Sequence, residues 1–130
     1  MDIMNLITNA CNQSKKSHMF HKHGAILVKR NNIILSSCNE YPDHAETILL
    51  HKMKYKNIKK NGLTIIVVRM SKNGNLQNSM PCVQCTENMK QCGIDEIIYT
   101  TGTKDIYKIE KIKKLNSSHV SSGTKYNKQY

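Results

Sequence analysis

The feature that most constrains this chain is a pair of short motifs, His44-Ala45-Glu46 and Pro81-Cys82-Val83-Gln84-Cys85. Between them they hold one imidazole, two thiols and one further carboxylate. Zinc favours four tetrahedral nitrogen and sulfur ligands. Structural sites fill all four with protein atoms, whereas catalytic sites leave one to water. His44, Cys82 and Cys85 supply three ligands, so the set predicts a Zn2+ site of the catalytic kind. Glu46 is then a base beside the metal that does not bind it. Such a base is needed because bound water becomes a nucleophile near neutral pH only if its proton has somewhere to go. A closed structural zinc site, or two unrelated helix starts, would leave Glu46 and the open position without purpose.

The spacing also says where the motifs sit. Side chains two apart in mid-helix diverge by about 200°. At a helix tip both can reach past the end, so a helix is predicted from His44 to about Lys56. Asp43 would be its cap, with Ile48, Leu49 and Met53 facing inward. Pro81 suits the first position of a second helix running to about Gln91 and stopped by Gly93. Cys82 and Cys85, three apart, share a face of its first turn. Two helix amino termini then meet at one metal, and their partial positive charge favours thiolate over thiol.

The remaining chain reads as scaffold. A helix is predicted over 2–16 with Ile3, Met4, Ile7, Ala10 and Cys11 on one side, then a polar loop to His23. Strands are predicted over 24–30 and 33–37, joined by a turn at Asn31-Asn32. The apolar, β-branched run 63–70 suits a central strand. Residues 71–78 read as a turn or a small excursion at the sheet end, and 95–100 as another strand. Periodicity leaves 106–115 open between a hairpin strand and a basic helix. From Asn116 the Ser- and Lys-rich tail is expected to be partly disordered. A chain of 130 residues fits a single domain over 1–130.

Charge narrows the partners only weakly. The formal net charge is +11, but Arg30 and Arg69 are the only arginines. Lys, Asn and Ile rise together, as A+T-rich coding produces, and Arg is the side chain best suited to phosphates. No long apolar run follows Met1, and no stretch is long and apolar enough to span a bilayer. Five cysteines, two of them a close pair, in a chain without a secretion signal point to reduced thiols and metal. The expected compartment is cytoplasmic, with no membrane partner.

His-x-Glu followed by Pro-Cys-x-x-Cys is the pattern of zinc nucleobase deaminases. From about Gly24 to Thr100 the chain resembles the cytidine/deoxycytidylate deaminase superfamily, with the elements in that family's order. The resemblance implies an α/β fold, a three-layer α/β/α sandwich around a five-stranded mixed sheet. It implies Zn2+ on His44, Cys82 and Cys85, with Glu46 shuttling protons to the ring nitrogen and the departing amino group. Main-chain groups at Ala45 and Cys82 would contact the base amide or the attacking oxygen, and Asn39 the sugar. It further implies a homo-oligomer. The chain departs from the subfamilies. Only Glu40-Tyr41-Pro42-Asp43 separates Asn39 from His44, Ser79-Met80 precedes Pro81, and there is no Trp. No subfamily claims it cleanly.

Other groups are weaker signals. Cys11, Cys38 and Cys92 read as buried thiols acting as small apolar residues. His18, His21 and His23 could join Cys38 in a second metal site, although histidines in a polar loop are usually solvated. Phe20 or His21 could cover a bound base; Phe20 could equally anchor the core. Lys52, Lys56, Lys59 and Lys60 fall near one helical face, either solvated or a phosphate track.

The expected activity is hydrolytic conversion of cytosine to uracil in a small nucleoside or nucleotide. One alternative keeps the chemistry on nucleic acid, as single-stranded cytosine or tRNA adenosine. Another is an inactive deaminase-fold module that retains zinc.

Overall fold

The computed structural model describes residues 2–115, so the expected disorder of the tail from Asn116 lies outside the described residues. The elements run α1 (Ile3–Ser14), β1 (Lys22–Lys29), β2 (Asn32–Cys38), α2 (Ala45–Tyr55), β3 (Leu63–Met70), β4 (Leu76–Gln77), α3 (Val83–Gln91), β5 (Glu96–Thr100) and β6 (Tyr107–Lys111). A single 3₁₀ turn, Ile112–Lys114, follows. The main strand order is β2-β1-β3-β5-β6, with the two-residue β4 pairing on β3. The β3–β5 pair is parallel and the others are antiparallel. The sheet is therefore the expected mixed one of five strands, plus a short sixth.

Alternation along the central strands divides the core in two. Ala25, Leu27, Ile65, Val67, Ile97 and Tyr99 pack with α2 and α3 through Leu49, Leu50, Met53 and Met89. Ile26, Val28, Ile66, Val68 and Ile98 pack with α1 through Leu6, Ile7 and Ala10. Strand side chains point to opposite faces in turn, so strands apolar at every position need helices on both sides. The three-layer α/β/α sandwich follows.

Several boundaries differ from expectation for local reasons. The first turn falls at Arg30 and Asn31, both left-handed at φ 50° and 67°, rather than at Asn31-Asn32. Two consecutive positive φ values make the tight turn that matches strand twist. Leu27 pairs with Leu35 and Val28 with Ile33, so Ile34 is an extra residue that bulges β2. In α1, Met4 is exposed, and the buried face is Leu6, Ile7, Ala10 and Ser14. Asp2 caps the helix, accepting from the Met4 and Asn5 amides. A Cβ on Gly24 would stand 2.1 Å from the Ala10 carbonyl oxygen, so this glycine lets α1 lie directly on β1.

In α2 the inward residues are Leu49, Leu50 and Met53, and Ile48 is only half-buried. That helix ends at Tyr55 with Lys56 as its C-cap, so Lys59 and Lys60 lie beyond it and the four lysines share no helical face. The Lys52 ammonium instead donates to the Ser36 carbonyl at 2.8 Å. Residues 71–78 form a hairpin that returns as β4. Residues 106–115 resolve as an edge strand antiparallel to β5, followed by the 3₁₀ turn. No helix among the described residues is long and apolar enough to cross a membrane.

Candidate metal centre and active site

The β2–α2 and β3–α3 connections leave the sheet from one end. The registers place Cys38 opposite Gly24 and Met70 opposite Lys22 at that end. His44 is the N-cap of α2 with extended backbone (φ −74°, ψ 155°), and α2 proper begins at Ala45. Asp43 is therefore not the cap. It closes a tight turn with Glu40, whose amide and carbonyl pair with those of Asp43 around the cis Tyr41-Pro42 bond. Cys82 is likewise the N-cap of α3, which begins at Val83, so Pro81 precedes the helix rather than opening it. The Cys82 sulfur accepts from the Cys85 amide at 3.4 Å, a capping bond made by a metal-ligand residue.

The structure brings three predicted ligands together. His44 Nδ1 lies 3.2 Å from Cys85 Sγ and 3.8 Å from Cys82 Sγ. All three ligand atoms fall within 4.8 Å of one another. Nitrogen at about 2.0 Å and sulfur at about 2.3 Å from zinc, at tetrahedral angles, stand roughly 3.5–3.8 Å apart. The donor set and its spacing fit Zn2+. Both cysteines are buried and His44 is half-buried.

Acidity is split between the two sulfurs. Cys82 is pulled down to about 3, first because Cys85 donates a hydrogen bond to it, with His44 and the Cys85 amide assisting against burial. Cys85 is pushed up by the same bond and by burial. A dication held by these atoms would favour the thiolate form of both cysteines. His44 is raised by its hydrogen bond to Cys82, with Glu46, Cys82 and Asp43 adding charge attraction and burial opposing.

Glu46 is 4% exposed, and its Oε1 has no hydrogen-bond partner. Burial drives its acidity down, which raises its pKa. A carboxyl oxygen buried without a partner costs stability unless a ligand engages it. Ala45 is fully buried, and its carbonyl accepts from the Ser37 hydroxyl at 2.6 Å, tying the first turn of α2 to β2.

Asn39 stands at the end of β2 with its amide engaged. Oδ1 accepts from the His23 amide and Nδ2 donates to the His21 carbonyl, both at 2.9 Å. One acceptor lone pair and one N–H remain for a ligand. The Ser17 hydroxyl donates to the Asn39 carbonyl at 3.0 Å, and Lys22 Nζ donates to the Ser17 carbonyl, fastening the 15–21 loop beside Asn39.

Three weaker candidates resolve differently. Among the described residues, His44, Cys82 and Cys85 form the one group placed to hold a metal, so His18, His21, His23 and Cys38 do not assemble a second. Phe20 is 70% exposed and packs edge-on against His21 at 4.9 Å, which removes it from the core. Cys92 is buried as expected, whereas Cys11 and Cys38 are half-buried.

One supporting group went unforeseen. The buried Ser79 hydroxyl donates to the Val67 carbonyl at 2.8 Å and accepts from the Thr100 amide at 2.7 Å and hydroxyl at 2.8 Å. It joins the carboxyl ends of β3 and β5 three residues before Cys82. Only the position of Ser79 just ahead of Pro81-Cys82 could have hinted at this.

Comparison with known proteins agrees with this geometry. No curated protein matches the chain. Among solved structures, the dCMP deaminase of cyanophage S-TIM5 superposes with a TM-score of 0.60 at 22% identity, covering 75% of this chain and 81% of that one. The same enzyme in complex with dCMP and dUMP gives 0.58 at 21% identity, over 76% and 80%. A Thermotoga maritima diaminohydroxyphosphoribosylaminopyrimidine deaminase/5-amino-6-(5-phosphoribosylamino)uracil reductase gives 0.58 at 21% identity, over 75% of this chain and 28% of that one. At such identities the likeness is one of fold. The sequence model of the cytidine and deoxycytidylate deaminase zinc-binding region matches residues 1–101, and the chain belongs to that family.

Proposed function

We propose that the protein is a zinc-dependent hydrolytic deaminase converting cytosine to uracil in a free nucleoside or nucleotide. The observation that carries this reading is the Glu46 carboxyl, buried beside three zinc-type ligands with an oxygen that no protein group satisfies. A purely structural zinc site has no use for it. His44, Cys82 and Cys85 would hold Zn2+, which would supply the Lewis acidity that makes water a nucleophile near neutral pH.

The chain's own groups do the rest. Glu46 accepts the proton of the attacking water and passes it to the ring nitrogen. It then carries the second proton to the amino group, which leaves as ammonia. Its raised pKa suits a group that must both take and return a proton. The main chain at Ala45 and Cys82, each at the start of a helix, is the proposed contact for the base amide or the attacking oxygen. Asn39, with capacity left on its amide, is the proposed sugar contact. Cytoplasmic residence and self-association belong to the same reading.

The exposure of Phe20 at 70% and Tyr41 at 83% favours a second reading, in which the same chemistry acts on single-stranded nucleic acid stacked on these rings. Zinc-loaded protein offered cytidine, dCMP, single-stranded DNA and tRNA in parallel decides between them. Ammonia release from the small substrates is expected. Release only from the polymers selects the second reading, and release from none leaves a zinc-binding module. As a control, Glu46→Ala is expected to lower kcat by about 10²–10⁴-fold or more with zinc content unchanged.

A further inference from the structure

Near its end the central strand β3 carries a charge, Arg69, that no ion pair among the described residues balances. Arg69 follows Val67 by two residues, so it projects from the sheet face that carries α2 and α3. Its cross-strand neighbours are His23 on β1 and Gln77 on β4. Its Nη2 lies 3.1 Å from His21 Nδ1, and because a guanidinium only donates, the imidazole nitrogen is the acceptor. An accepting imidazole brings no negative charge. Among the described residues the ion pairs are Lys90–Glu87 and Lys111–Glu96, and neither involves Arg69. Its buried Nε has no hydrogen-bond partner, nor does Oε1 of Gln77 across the hairpin.

This placement has a direction. Arg69 lies at the sheet end from which His44 and Cys82 are delivered. His21, its partner, accepts through its backbone carbonyl from the Asn39 side-chain amide. A guanidinium at this end of the sheet, with an Nε that no protein group engages, is suited to clasping an oxyanion through two parallel hydrogen bonds. Among the described residues no carboxylate forms an ion pair with Arg69, and a bound phosphate would supply that counter-charge.

Resting on the deaminase reading above, we infer that Arg69, buttressed by His21, is the specificity determinant that takes the phosphate of a nucleoside monophosphate substrate. A merely structural Arg69, holding the 17–21 loop through His21, would alter stability without separating nucleotides from nucleosides.

The test uses the full, zinc-loaded chain carrying Glu46→Gln, so that bound ligand is not consumed. Calorimetry gives Kd for dCMP, deoxycytidine and a short single-stranded oligonucleotide with one cytosine. dCMP is expected to bind about 10- to 100-fold more tightly than deoxycytidine, the range for hydrogen bonds to a charged group. Adding Arg69→Gln should erase that margin while deoxycytidine affinity stays within about twofold, and Arg69→Lys should retain part of it. Equal binding of the two in the Glu46→Gln protein overturns the inference without needing an Arg69 variant. So does a margin that survives Arg69→Gln, or an oligonucleotide that binds more tightly than dCMP through Arg69. If the otherwise unaltered chain releases ammonia from nucleoside and nucleotide equally well, only this inference falls. If it releases none and neither ligand binds, the deaminase reading falls with it.

Discussion

The two faces of the sheet are built from the same strands and do different work. Toward α1 the contacts are aliphatic over most of their length, Leu6, Ile7 and Ala10 against Ile26, Val28, Ile66, Val68 and Ile98. The buried Ser14 hydroxyl at the end of the helix is turned back onto the Cys11 carbonyl. Toward α2 and α3 an equally apolar centre gives way at one end to Ser37, Asn39, Glu46, Ser79, Cys82 and Cys85, all buried. The difference comes from helix direction. α2 follows β2 and α3 follows the β3–β4 hairpin, and both present their amino termini at the same end of the sheet. Free N–H groups and partial positive charge there favour anions. Stability on one side thus frees the other to bury sulfur and carboxyl groups that would cost stability in an ordinary core.

If the faces are separable, breaking one should leave the other legible. The largest effect is expected from Cys85→Ser, which should reduce bound zinc from about one per chain to well below that and abolish the rise in Tm that zinc gives. Metal analysis and thermal melts with and without chelator check it, and full zinc occupancy would mean the triad is not the site. Next, Ile66→Ala on the α1 face should cost about 2–5 kcal/mol in denaturant unfolding. The folded fraction should keep its zinc stoichiometry. A loss of zinc in folded protein would show that the faces are coupled. Smallest is Ser79→Ala, expected to cost about 1–3 kcal/mol by leaving the Thr100 amide without its acceptor. Because Ser79 stands just before Pro81-Cys82, zinc affinity should also weaken by about tenfold, as when supporting hydrogen bonds around a metal are removed. An unchanged affinity would confine Ser79 to the sheet.

What could be read from the sequence was the chemistry, because its residue types are rare and their spacing is restrictive. His44, Glu46, Cys82 and Cys85 needed no fold to suggest a metal site, and the unbroken apolar run of β3 announced a sheet covered on both sides. Helix starts were misplaced by one or two residues because His44 and Cys82 are themselves the caps. Asp43 and Pro81 are the residues that statistics favour nearby, but they sit just outside. The Ser79–Thr100 contact joins two common residues far apart in the chain, so no local pattern could signal it. β6 stayed ambiguous because an edge strand that is mostly exposed shows no clean period. Arg69 looked like one of two isolated basic residues until β3 and β4 were paired around it.

The extra residue at Ile34 has a consequence for how the molecule meets its own copies. β2 is an outer strand, and a flat outer strand offers backbone donors and acceptors at even intervals on which another chain could extend the sheet. The bulge between the Leu27 and Val28 pairings interrupts that interval and twists the rim. Ile33 and Ile34, 41% and 36% exposed, are therefore displayed on an irregular border instead of a straight one. A crowded solution of this protein is thereby denied a template for end-on strand addition at that rim.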